Sequence, residues 1–354
     1  MNVSSLFRHT LSGAALAVLM GATALGQTVT TVPVGAMTYT FPATTQVTTT
    51  YISIPLTNPA VYTLPVASLT ANTITFSGTP FPSGGLAQTG SPFFARIATG
   101  AQAGRTMLIT ANTTSTITVD STDNSSQTTG LDTSGWAVAA GDRIEIIVGD
   151  TLASLLGDNT GSNPLLFIGS TSPFAADTVG LYNKTTGKTD NYYFNTTSGY
   201  WRPLATNVNS NSVIIRPEVA INITRQSGRP QVSLIITGDV PYLPYLTKVT
   251  GGSTSVFSGF RYPVDVKLNA LAYNGWIKSN SVFSADTVNV YNPQTGKFDV
   301  YFQRLDNGLW NKVGAGTNDQ SNVTIVGGVG FSITKTGTVS GSASYLYNSL
   351  PYTL

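Results

Sequence analysis

The chain has 354 residues, with 18 Lys+Arg against 16 Asp+Glu, no Cys and a single His. Its charged fraction of 10% is far below the roughly 25% of ordinary soluble domains, and a thinly spread net charge of +2 excludes the clustered basic face that nucleic acids require. Without Cys there are no disulfides, thiol nucleophiles or Cys-based metal centres.

Residues 1–26 read as a secretory signal peptide. Arg8 and His9 form a weakly basic start, Ala14 to Leu25 is apolar, and Ala24-Leu25-Gly26 offers small residues for cleavage before Gln27. About a dozen apolar residues cannot span a bilayer that needs ~20, and no later run has spanning length. The mature chain then contains neither His nor Cys, so Ser-His-Asp and Cys-His machinery cannot be built. Only two glutamates, Glu145 and Glu218, remain. No catalytic residues are assigned, and a non-enzymatic protein is expected.

The next region, 27 to about 140, begins with 69 consecutive uncharged residues, 27–95, rich in Thr, Ser and Pro. Free surfaces normally mix charges, so this stretch is either hydrated through hydroxyls or covered by a partner or by copies of itself. Alternating β-branched segments at Thr73–Phe76, Thr116–Val119, Arg143–Val148 and Ala220–Thr224 predict strands. Thr151–Leu156, capped by Thr151 or Asp150, and Lys267–Leu271 predict short helical turns. The fold class is all-β.

From Ser172 and from Ser281 run two 31-residue segments, 109 positions apart, identical at 15 positions without a gap. They divide the remainder into two related β-sandwich-like units, about 141–250 and 251–354. In each, Ala-Asp-Thr-Val enters a strand. Thr-Gly-Lys at 186–188 or 295–297 turns a hairpin on Gly187 or Gly296, and a second turn at Gly199 or Gly308 places Trp201 or Trp310. The likeness extends to Ile221–Arg225 and Phe331–Lys335. This duplicated Ala-Asp-Thr-Val…Tyr…Gly…Trp unit resembles a family of exported, β-rich bacterial proteins. Gly100–Arg105 leading into Ile109–Asn112 resembles that family's N-terminal pattern. The resemblance implies an extracellular, cell-surface or periplasmic location and brings no catalytic residues.

Several residues invite a functional reading. Tyr182, Tyr192 and Trp201, with Tyr193 and Tyr200, and their duplicates Tyr291, Tyr301 and Trp310, offer a stacking platform for glycans, against the plainer reading of a packed core. Asp177, Asp190, Asp286 and Asp299 recur at equivalent places, as turn-capping or strand-edge aspartates would; glycosidase carboxylates would instead face each other across a cleft. Asp120–Asn124 and Asp158–Asn163 are oxygen-rich enough to suggest calcium, but neither has EF-hand spacing, so solvated turns and no cofactor are expected. Gly327–Gly330 has no following helix to make a phosphate cradle. Proline in the C-terminal segment Asn348–Leu354 argues against a transmembrane barrel. The expectation is a secreted structural protein that self-assembles, with Thr28–Thr50 adding a strand to a neighbour. The alternative is an extracellular polysaccharide-binding protein.

Overall fold

The computed structural model describes residues 32–70, 72–100, 102–120, 138–183, 186–249, 255–273, 276–292, 295–336, 344–348 and 350–353. The expected signal peptide lies outside them. As the sequence predicts, the protein is all-β.

The chain opens with an arm of two strands, β1 (Val34–Phe41) and β2 (Thr48–Ile52). Seven strands follow: β3 (Ala60–Thr70), β4 (Thr73–Phe76), β5 (Ala87–Gln88), β6 (Ser91–Ile97), β7 (Thr106–Asn112), β8 (Thr116–Val119) and β9 (Arg143–Val148). Six of them close into a barrel in the order β6-β7-β8-β4-β3-β9, with β9 pairing back onto β6. Its interior is filled by fully buried Ile74, Ile97, Met107, Ile117, Ile144 and Ile146. On the closing seam Arg96 stands opposite Glu145 and donates Nε to its carboxylate at 2.7 Å. The Tyr242 hydroxyl donates to the same carboxylate, and its ring lies under the guanidinium.

The first repeat continues with β10 (Asp150–Thr151), helix α1 (Leu152–Leu156), β11 (Thr178–Asn183), β12 (Lys188–Asn195), β13 (Tyr200–Pro203), β14 (Ile214–Ile215), β15 (Ile221–Arg225) and β16 (Val232–Asp239). Thr151 caps α1 through a reciprocal box with Ser154. The second repeat contains β17 (Tyr245–Val249), β18 (Ser255–Gly259), β19 (Val266–Lys267), β20 (Ala272–Tyr273), β21 (Thr287–Asn292), β22 (Lys297–Gln303), β23 (Trp310–Lys312), β24 (Thr324–Ile325), β25 (Gly330–Thr334) and β26 (Ser344–Asn348), with a 3-10 turn at Leu268–Ala270. The Thr-Gly-Lys hairpins turn where expected, with Gly187 at φ 67 and Gly296 at φ 66.

The sheets divide the chain differently from the expected boundary near 140. The first repeat's sheet runs β13-β12-β11-β15-β2 and the second's β23-β22-β21-β25-β18. Strand β2 therefore holds the place in the first repeat that β18 holds in the second. The same correspondence joins ribbon β1/β16 to ribbon β17/β26, and pair β10/β14 to pair β19/β24. The duplication begins at the arm, and the barrel is an insertion between β2 and β10.

The repeats meet at a crossing with local twofold character. Ile52 bridges Val329, and the equivalent Ser258 bridges Val219. Ser53 N–H donates to Gly328 O at 2.8 Å, and the equivalent Gly259 N–H donates to Glu218 O at 3.0 Å. At its centre a Cβ built on Gly330 would lie 2.7 Å from the Cβ of its counterpart Ala220, and one on Gly259 would lie 2.7 Å from that of Ser53. Two equivalent Cβ atoms cannot both fit, so one member of each pair is glycine. The Tyr39 hydroxyl is shared between the carbonyls of Ser53 (2.8 Å) and Gly328 (2.9 Å).

Gly330→Ala and Gly259→Ala should each lower the unfolding free energy by about 1–3 kcal/mol, measured in urea. Gly161→Ala, with open space around it, should stay within about 0.5 kcal/mol. Burial pushes the Tyr39 phenol up, and Tyr352, whose hydroxyl donates to Pro241 O, up to about 12. An acid whose folded pKa is raised is favoured in its neutral form by folding, so this contribution is complete below pH ~10, the unfolded value, and falls away as pH rises toward 12. Urea midpoints should drop across that window, and less steeply in Tyr39→Phe/Tyr352→Phe.

Candidate functional site

The uncharged arm is the segment from which assembly was expected, and much of it pairs within its own chain. Strand β1 pairs with β16 from Val34↔Asp239 to Phe41↔Val232, and β2 pairs with β15 from Ile52↔Ile221 to Thr48↔Arg225. Phe41, Ile52, Ile54 and Leu56 join the core of the first repeat. Polar contacts fix the register. Thr49 and Thr224 hydroxyls are 2.9 Å apart, and Arg229 N–H donates to the Thr44 hydroxyl at 2.9 Å. The arm reaches the barrel through Pro55-Leu56-Thr57-Asn58-Pro59. Residues 28–31 of the expected donor segment lie outside the described residues.

The outer edges of the two five-stranded sheets, at β13 and β23, carry loops. On the outer side of β13, Ser210 N–H donates to Trp201 O, and Trp201 N–H donates to Asn211 Oδ1. On β23, Gln320 N–H donates to Trp310 O in the same way. These loops block edge pairing at both flanks.

Six of the eight rings expected to form a glycan platform are buried: Tyr182, Tyr192, Tyr193, Trp201, Tyr301 and Trp310, with both tryptophans only 1% exposed, and Tyr200 and Tyr291 are half-buried. Trp201 donates its indole N–H to Gly157 O at 2.7 Å and packs edge-on against Phe194. Tyr182 crosses from the first repeat into the second repeat's core. Half-buried Tyr291 crosses the other way, against Tyr51 at 5.0 Å between centroids. Tyr192 and Trp201 face the core of the first repeat, while Tyr182 and Tyr193 lie on the other face of the same sheet. Both faces are covered, so none of the six buried rings is open to a sugar.

The recurrent aspartates separate into two kinds. Asp190 and Asp299 brace the hairpins, accepting from Asn183 and Asn292 at 2.8 and 3.1 Å, and Asp299 also pairs with Lys312. Asp177 and Asp286 are buried charges, 2% and 0% exposed. Asp177 accepts from Ile168 N–H, Gln226 N–H and Arg229 Nε, with Arg225 Nε at 4.0 Å. Asp286 repeats the arrangement with Ile277 N–H, Thr336 N–H and Lys335 Nζ. Each carboxylate joins three chain segments at the entrance of β11 or β21. The motif alone marked them as turn residues; their cationic partners lie some 50 positions away, and only the aligned Arg225 and Lys335 hinted at them.

The loop at Asp158–Asn163 closes on itself. Asp158 accepts from the Thr160 hydroxyl and N–H, which holds its carboxyl below the usual range. Of the second oxygen-rich loop, Asp120 is tied to Arg216 at 2.7 Å and residues 121–124 lie outside the described residues. Among the described residues no three His, Cys, Asp or Glu side chains gather as a metal ion would require. A shallow apolar cleft between barrel and first repeat, lined by Ile54, Leu56, Phe94, Ile147 and Ile215, has Asp150 on its wall. Burial raises the pKa of Asp150, and the Ser154 hydroxyl opposes that shift. No helix among the described residues is long and apolar enough to cross a membrane. No family model, curated protein or solved structure matches the chain.

The ion pairs carry a prediction. Asp286→Asn should cost about 3–5 kcal/mol, because Lys335 is left buried without a counter-charge. Asp286→Asn combined with Lys335→Met should recover much of that loss, since an apolar replacement of the whole pair removes the stranded charge; chemical denaturation of both variants checks it.

Proposed function

We propose that the protein is a non-enzymatic structural protein, exported to the bacterial envelope or surface, that assembles with copies of itself by exchanging its N-terminal arm. The observation that carries this reading is the arm's position. Its strands pair with partners 169 to 205 positions away in sequence, and the seven residues 53–59, with Pro55 and Pro59 among them, link it to the barrel. An arm supplied by a neighbour would make the same hydrogen bonds and bury the same side chains as the chain's own arm. Such exchange needs no new interface, only a different tether. The uncharged surface of 27–95 lowers the repulsion between copies. The proposed kinship with exported β-rich proteins rests on the repeated motif.

The protein's lack of cysteine makes the test clean. Thr49 and Thr224 are register partners across β2/β15, within reach of a disulfide after substitution. Thr49→Cys and Thr224→Cys should be purified as separate single variants, beginning at Gln27, then mixed, concentrated and oxidised. Arm exchange yields a disulfide between the two variants and higher oligomers by light scattering. A mixture that remains monomeric and uncrosslinked at every concentration rejects the reading.

A further inference from the structure

Phe174 and Phe283 hold the same position in the two repeats and are 88% and 91% exposed, the most exposed large apolar side chains among the described residues. Neither sits on a loosely held loop. The turn bearing Phe174 is closed by Ala175 and Ala176 N–H groups donating to Ser172 O, and Arg229 donates to Ala175 O. Phe283 stands on the 3-10 turn Val282–Ser284. Behind each turn come a fully buried alanine, Ala176 or Ala285, and the buried Asp177 or Asp286. One exposed ring alone is ordinary, but a phenylalanine held in water at the same position of both repeats is a repeated exposure that folding does not require.

The topology carries both turns toward one end of the molecule. Strand β15 runs antiparallel to β2, and Val329, at the start of β25, also bridges β2 antiparallel. Strands β15 and β25 therefore leave the crossing in the same direction. Their far ends carry Arg225 and Lys335, and with them the ion pairs and both Phe turns, roughly 15–20 Å from the crossing. Leu305, 67% exposed, stands beside the Phe283 turn, its N–H donating to Asn280 Oδ1. Of the charges at this end, Arg229 pairs with Asp177 and Arg304 with Asp306.

We infer that this end docks onto a lipid bilayer surface, with Phe174, Phe283 and Leu305 entering the interfacial layer. The shape selects the partner. Two Phe and one Leu present roughly 500 Å² of apolar surface at ~150–250 Å² per ring, less than the roughly 800 Å² a side that a stable protein interface buries. They stand on separate turns of the chain and not on one continuous face. A bilayer needs no matching shape and desolvates each inserted side chain independently, so membrane affinity follows the apolar area inserted. This inference does not rest on arm exchange.

The test is flotation of the chain from Gln27 onward with vesicles of phosphatidylethanolamine and phosphatidylglycerol, and separately of phosphatidylcholine. The wild-type chain should float with both. Phe174→Ser and Phe283→Ser should each reduce the partition coefficient about tenfold, and the double variant should not float. Urea midpoints should be unchanged, because the rings are already in water. Absence of wild-type flotation, equal flotation of the double variant, or binding confined to anionic vesicles and abolished by salt would overturn the inference. So would loss of self-association in lipid-free solution by a double variant whose vesicle binding equals the wild type's, which would assign the tips to a second copy.

Discussion

The whole arrangement depends on how closely four chain segments pass at the crossing. Two equivalent strands from each repeat approach until there is room for one Cβ where symmetry would place two, and Gly259 and Gly330 supply the missing volume. Glycine here serves close approach and not an unusual backbone angle. Once the backbones meet, reciprocal hydrogen bonds and the Tyr39 hydroxyl fix the relation between the repeats. The hairpins can then exchange Tyr182 and Tyr291 across the axis, which makes one body of the two sheets.

The buried aspartates act at the other end of the same strands. Burying a carboxylate with a cation is a poor way to gain stability, because desolvation consumes most of the attraction. Its value here lies in geometry. Asp177 and Asp286 each gather backbone N–H groups from two separate segments along with the cation, so strand, preceding turn and following loop are set at one angle. Lys in one repeat and a pair of Arg in the other show that the carboxylate's position is retained while its counter-charge varies.

Local features were the legible part of the sequence. The strands at Thr73–Phe76, Thr116–Val119 and Arg143–Val148 have the bounds their alternation predicted. Thr151 caps its helix, and the Thr-Gly-Lys turns take positive φ at glycine. The barrel and the arm were not legible, for a physical reason: pairing β2 with β15 joins residues 171 positions apart at Tyr51 and Asn222, and no local periodicity encodes such a distance. The insertion also shifted β2 out of alignment with β18, so the first repeat looked as if it began near residue 141. The aromatic side chains misled for a related reason. Alternation tells which residues share a face but not which face is covered, so Trp201 and Trp310 admit a platform beside the plainer reading of a packed core. Phe174 and Phe283 are identities of the aligned repeats, and nothing in the alignment marks them as exposed.

The barrel's attachment has a consequence for how the chain closes. In the second repeat six residues, 260–265, link the strand at the crossing to β19; in the first, residues 53–149 make the same connection. By polymer statistics a chain some sixteen times longer should cost roughly 2.4 kcal/mol more to close. The barrel largely cancels this, because its first and last strands pair with each other, Ala60 opposite Ile147, and Asn58 donates to Val148 O at 3.0 Å. Its two ends leave side by side. To the sheet, a folded domain of some ninety residues is entropically close to a short loop, so that junction is the place in the fold where a domain of quite different content could be carried without disturbing the duplicated frame.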